Sequence, residues 1–124
     1  MKHNPKVVNF NRSSAFAYHR AMINRRENNP LDALELLRSA AEHSPKNAEY
    51  RLQLARQYAE IGWYEESCRL ALDVLSEADA PADAYLLLAD SLISIGRSDA
   101  AEALMLYALA HIENEAFILA AQRM

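Results

Sequence analysis

A single cysteine, Cys68, occurs in 124 residues, so the chain can form no internal disulfide and build no thiolate-rich metal site. Lying inside an expected helix from Tyr64 to Ala78, Cys68 reads as a small buried hydrophobe rather than a reactive thiol. Glycine is nearly as scarce: there are two, Gly62 and Gly96, and no GxxxxGK, GxGxxG or GxSxG motif. That excludes a phosphate-cradling loop and a nucleophile elbow. His3, His19, His43 and His111 stand far apart, with no pair at i, i+3 or i, i+4 spacing and no HExxH, so no metal or cofactor is expected. With no catalytic constellation, an enzyme is not expected either.

Long apolar runs are missing too. No stretch reaches the roughly 18 residues of a membrane span, and the N-terminus lacks the apolar core of a signal peptide. The cytoplasm is the default compartment on this reading. Residues 1–26 contain no acid but six bases, Lys2, Lys6, Arg12, Arg20, Arg25 and Arg26, which leaves all 17 acids and seven bases for the rest. The charge is +6 followed by −10. Such asymmetry fits a basic arm over residues 1–13 meeting an acidic surface or nucleic acid. The bases are dispersed without Lys/Arg runs, however, so a solvated arm is the plainer reading and nucleic acid is not the favoured partner.

What is abundant is alanine, with 23 residues inside a 52% apolar composition, interrupted by only four prolines. This favours helix throughout, and the length suits one domain, taken as residues 14–124. Small residues then recur at a fixed step. Ala21, Ala55 and Ala89 are 34 positions apart; so are Asn28, Gly62 and Gly96, then Ala33, Ser67 and Ala101, and then Ala40, Val74 and Ala108. A unit of that length is one helix hairpin, which buries its apolar face only by stacking on its copies.

Asn28, Gly62 and Gly96 tolerate the left-handed conformation that ends a helix, so the first helix of each unit stops there. Second helices open at Asn29-Pro30, with asparagine as cap, and at Ser98, followed by Asp99 in the first turn. Asn47 and Asn114 cap the next first helices, and Pro45 and Pro81 punctuate the turns between units. Leu31, Leu34, Leu37 and Ala41 form one apolar stripe, and Leu70, Val74 and Leu75 another. The expected units are 14–47, 48–81 and 82–115. A terminal helix at 115–124 turns Phe117, Ile118 and Ala121 onto the last hairpin, either to solvate the stack or to open a further repeat.

These columns resemble the tetratricopeptide repeat (TPR) family, whose 34-residue unit has small residues at the same three places, a turn glycine and often a proline near its end. The aromatic that the family carries early in each unit is present only as Tyr85. Unit one is the most divergent, with Arg20 where the family prefers leucine and Asn28 where it prefers glycine. The resemblance implies an all-α, right-handed α-solenoid of three antiparallel hairpins with a C-terminal solvating helix.

It also implies a concave groove lined by the first helices, which holds a peptide segment of another protein. Carried over, the groove residues are Tyr18, Leu52 and Leu86; Met22, Arg56 and Asp90; and Arg25, Arg26 and Ile93, with Ala59, Glu60 and Ser94 beside them and Ala15, Glu49 and Asp83 at the rim. Tyr18, Met22, Leu52, Leu86 and Ile93 would make an apolar stripe of the kind that marks binding sites. Arginines at one end and Asp83 and Asp90 at the other would fix direction.

The family's clamp for chaperone tails is absent, because its places hold Tyr18, Met22, Asp83 and Leu87. The expected role is a scaffold, adaptor or chaperone-like protein, similar in size and groove character to three-repeat secretion chaperones. Alternatives stay open: the stripe packs between helices or under Val7, Val8 and Phe10; the chain homodimerises; it is a regulatory N-terminal module of a longer protein; or its basic arm binds an acidic surface.

Overall fold

The computed structural model describes the backbone of residues 5–77, 80–112 and 115–123, and the side chains of 13–77, 80–112 and 116–123. The fold is all-α. Seven helices occur among these residues: α1 (Pro5–Arg26), α2 (Pro30–His43), α3 (Ala48–Glu60), α4 (Tyr64–Leu75), α5 (Asp83–Ser94), α6 (Ser98–His111) and α7 (Glu115–Gln122). From α1 to α6 each helix packs on its chain neighbour, α3 also touches α5, and α7 rests on α5. The arrangement is solenoid-like, with no central core on which distant segments converge.

Three turns set the hairpins, and they are built alike. Asn28, Gly62 and Gly96 have φ of 61°, 87° and 82°. In each turn the next residue's N–H returns to a carbonyl five residues earlier: Asn29 to Asn24 at 2.8 Å, Trp63 to Tyr58 at 2.8 Å and Arg97 to Leu92 at 2.7 Å. A second bond closes inside it, from Asn28 to Arg25, Gly62 to Ala59 and Gly96 to Ile93. This is the Schellman closure, which satisfies the carbonyls orphaned at a helix end and demands a left-handed residue. A Cβ on Gly62 or Gly96 would meet nothing within 4 Å. Backbone conformation, not space, therefore selects glycine there, and asparagine serves at 28 because it tolerates the same φ.

Helix starts differ in part from expectation. Asn47 caps α3 by accepting the Tyr50 N–H at 3.0 Å. Asn29 stands before Pro30, but its side chain makes no cap bond. Its amide is turned back to Asn24 Oδ1 at 3.3 Å, so the start of α2 relies on the Asn29 carbonyl, which accepts from Ala33, and on proline's preset φ. α4 ends at Leu75 rather than running to Ala78. Asn114 and Ala78 lie outside the described residues.

The first helix begins at Pro5, nine positions before the expected start at Ser14, so the backbone of residues 5–13 belongs to α1. Nothing between Lys6 and Glu27 is a glycine or proline that would break it. The suggested covering by Val7, Val8 and Phe10 falls on side chains outside the described ones.

The small columns are all inside. Ala21, Ala55, Ala89, Ala33, Ser67, Ala40, Val74 and Ala108 are fully buried, and Ala101 is 3% exposed. Short side chains at these crossings let helices approach closely. The core is accordingly a string of small clusters: Ala21, Leu34, Leu37 and Leu54; then Leu52, Ala55, Val74, Ala84 and Leu87; then Cys68, Ala71 and Leu88. Ser67 and Ser91 share a buried hydroxyl bond of 3.1 Å. Gln57, fully buried, donates from Nε2 to the Pro30 carbonyl at 3.1 Å and ties α3 to the start of α2.

The stack ends unlike on its two sides. Leu54 and Leu88 are buried, whereas Arg20, one and two repeat lengths earlier, is exposed. Among the described residues no helix packs on that side of α1, so a solvated arginine stands where later units need leucine. At the other end α6 carries Leu106 at 63% and Leu109 at 38% exposure. α7 is anchored by Phe117, 3% exposed and edge-on to Tyr85 at 6.4 Å.

Candidate peptide groove

α1 and α3 lie side by side, and the groove residues expected from α1 converge on their junction. The Tyr18 ring stacks on Tyr50 with centroids 4.8 Å apart and planes 27° apart. Two turns on along α1, Arg25 Nη1 donates to Gln53 Oε1 at 2.7 Å, Nη2 pairs with Glu60, and Gln53 Nε2 donates to Glu49 Oε1 at 2.9 Å. Between them opens a cleft of about 560 Å³ lined by Met22, Arg25, Arg26 and Glu60. Met22 is half-buried, Arg26 exposed and Arg56 half-buried.

The same groups act on the Tyr18 phenol. Burial, then Glu49 and Tyr50, push the Tyr18 phenol above its ordinary value, while Arg25 and Arg56 pull it back. Tyr18 therefore stays a neutral hydrogen-bond donor. On α3, Arg51 makes a double ion pair within its own hairpin, to Asp73 at 2.9 Å and to Glu77. Burial alone would lower its pKa, but the bonds to Glu77 and Asp73 outweigh it and hold it above its ordinary value. Burial, helped by Glu65, raises the Cys68 thiol.

Leu52 is not a groove residue. It is 2% exposed and packed with Ala55, Val74, Ala84 and Leu87, so α5 lies directly over it. The apolar stripe is therefore interrupted at its middle. Beyond it Leu86 is half-buried and Asp90 exposed. Ile93, 43% exposed, belongs elsewhere: with Met105, Leu106, Leu109 and Ala121 it lines a separate cleft of about 460 Å³ among α5, α6 and α7.

Two features escaped sequence reading. Tyr50 and Gln53 shape the α1 side of the groove, yet nothing in the repeat columns singles them out. The α5–α6–α7 cleft had a usable signal, since Leu104, Met105, Leu106, Tyr107 and Leu109 make α6 apolar on every side, more than one buried face requires. Among the described residues no three His, Cys, Asp or Glu side chains gather as a metal site, and no helix is long and apolar enough to cross a membrane. The sequence matches no family model and no curated protein.

Proposed function

We propose that this chain is a TPR-like protein-interaction module that holds a peptide segment of a partner in the groove between α1 and α3, as a scaffold, adaptor or chaperone-like protein of the cytoplasm. The observation that carries this reading is the α1–α3 cleft of about 560 Å³, where half-buried Met22 lies among arginines and an acid. Apolar anchors ringed by charge are the common design of peptide grooves. The family reading is supported by three Schellman turns 34 residues apart and by the buried columns at Ala21, Ala33 and Ala40 and their repeats.

The test is panning of a displayed random-peptide library on the wild type and on Tyr18→Asp and Met22→Asp, with helicity followed by circular dichroism. Peptides enriched on the wild type should lose binding to both variants while the helix signal holds. Undiminished binding to both overturns the groove. Leu52→Asp, which sequence alone recommends for this purpose, is unsuitable because it places a charge in the core.

A second reading has an observation of its own. Leu106, Leu109 and Ile93 are 63%, 38% and 43% exposed around one cleft, and apolar surface of this kind is a common dimer contact. Homodimerisation through the α6 end is compatible with an open α1–α3 groove. A monomeric mass by light scattering at all concentrations would dismiss it.

A further inference from the structure

Three arginines of the first two units, Arg25, Arg51 and Arg56, are half-buried, and two have counter-charges. Arg25 pairs with Glu60, and Arg51 with Asp73 and Glu77. Arg56 differs. Among the described residues no carboxylate pairs with it, and its Nε, like that of Arg51, is out of water with no acceptor. A partly desolvated guanidinium with an unmade hydrogen bond is costly to leave alone, whereas its planar fork matches a carboxylate well.

The acids on its own helix are already engaged. Glu60 is held by Arg25, and Glu49 by Gln53. Arg25 and Arg26 line the α1–α3 cleft and Arg56 lies near enough to Tyr18 to act on its phenol, so this end of the groove is locally positive in a chain of net charge −4. Resting on the groove reading above, we infer that the bound segment is acidic, with an Asp or Glu side chain pairing with Arg56 and an adjoining apolar side chain lying on Met22 and the Tyr18 ring. The flanking acids decide the kind of anion. A single carboxylate fits one unpaired cation, whereas a nucleic-acid backbone would bring successive phosphates against Glu49 and Glu60.

The experiment pans the same displayed library on the wild type, Arg56→Gln, Arg56→Lys and Arg56→Glu, with helicity checked for each. Wild-type selections should share an Asp or Glu beside an apolar residue. Their affinity should fall about tenfold or more on Arg56→Gln, the size of one charged hydrogen bond, and less on Arg56→Lys, which keeps the charge. Arg56→Glu should select Lys or Arg at that place instead. Selected peptides that lose binding to Tyr18→Asp but bind Arg56→Glu unchanged would overturn the inference and leave the groove standing. Enrichment of no peptide, or of peptides indifferent to both variants, would overturn both.

Discussion

Arg25, in the last turn of α1, bridges Gln53 and Glu60 of α3, so the ends of two successive first helices are joined by one guanidinium across the mouth of the groove. Arg25 is 20% and Glu60 46% exposed, which keeps the pair in partial contact with water. Glu60→Ala is expected to destabilise the protein by about 0.5 kcal/mol, and less at high salt. Arg25→Ala should cost somewhat more, because the Gln53 bond goes with it. Urea titrations at two salt concentrations measure both.

The turn residues give a prediction free of packing effects. Gly62→Ala should destabilise by about 1 kcal/mol, since φ is 87° while no neighbour stands within 4 Å of the new methyl. Gly62→Asn should lose less, as Asn28 already serves in an equivalent turn. Equal losses for alanine and asparagine in urea titration would refute the conformational explanation.

At the crossings the controlling factor is space rather than backbone conformation. Ala55 is fully buried against Leu52, Val74 and Leu87, and Ala55→Leu should cost about 1 to 3 kcal/mol by overpacking. Leu52→Ala, at the same cluster, should cost about 2 to 5 kcal/mol through the cavity it leaves. Thermal melting reads both; a wild-type midpoint for either would displace these residues from the core.

Tyr18 and Cys68 both have pKa values raised by burial, so both favour the protonated form in the folded chain. The unfolded chain ionises first. Stability should therefore be fully present below the ordinary pKa of each group and fall as pH rises through the raised values, first in the thiol range and then in the phenol range. Cys68 should react with a thiol reagent at mildly alkaline pH only after urea unfolds the chain. Rapid labelling of the native protein would contradict its burial.

Much of the fold was legible because it depends on residues that act locally. Positive φ at 28, 62 and 96 needs glycine or asparagine, close helix crossings need small side chains, and both requirements recur with the hairpin. The ends were less legible. The first helix starts at Pro5 rather than at Ser14, since charge does not stop a helix and no breaker lies within this basic, acid-free stretch. The groove was legible only on one side, since Tyr18, Met22, Arg25, Arg26 and Arg56 gather there while Leu52 and Ile93 do not.

The sequence by itself determined the repeat, the hairpin turns and the small-residue crossings, because each is enforced by backbone conformation or steric volume at a single position. Only the tertiary structure decided which equivalent positions stay open. Tyr18 and Leu52 hold the same place one repeat apart, and so do Tyr50 and Ala84. Where Tyr50 stands, an aromatic ring lies against Tyr18 and leaves it half-buried. Where Ala84 stands, the missing bulk lets α5 settle onto Leu52 and close it from solvent. The periodicity places a residue on a face; the size of what packs against it from the next repeat determines whether that face is groove or core.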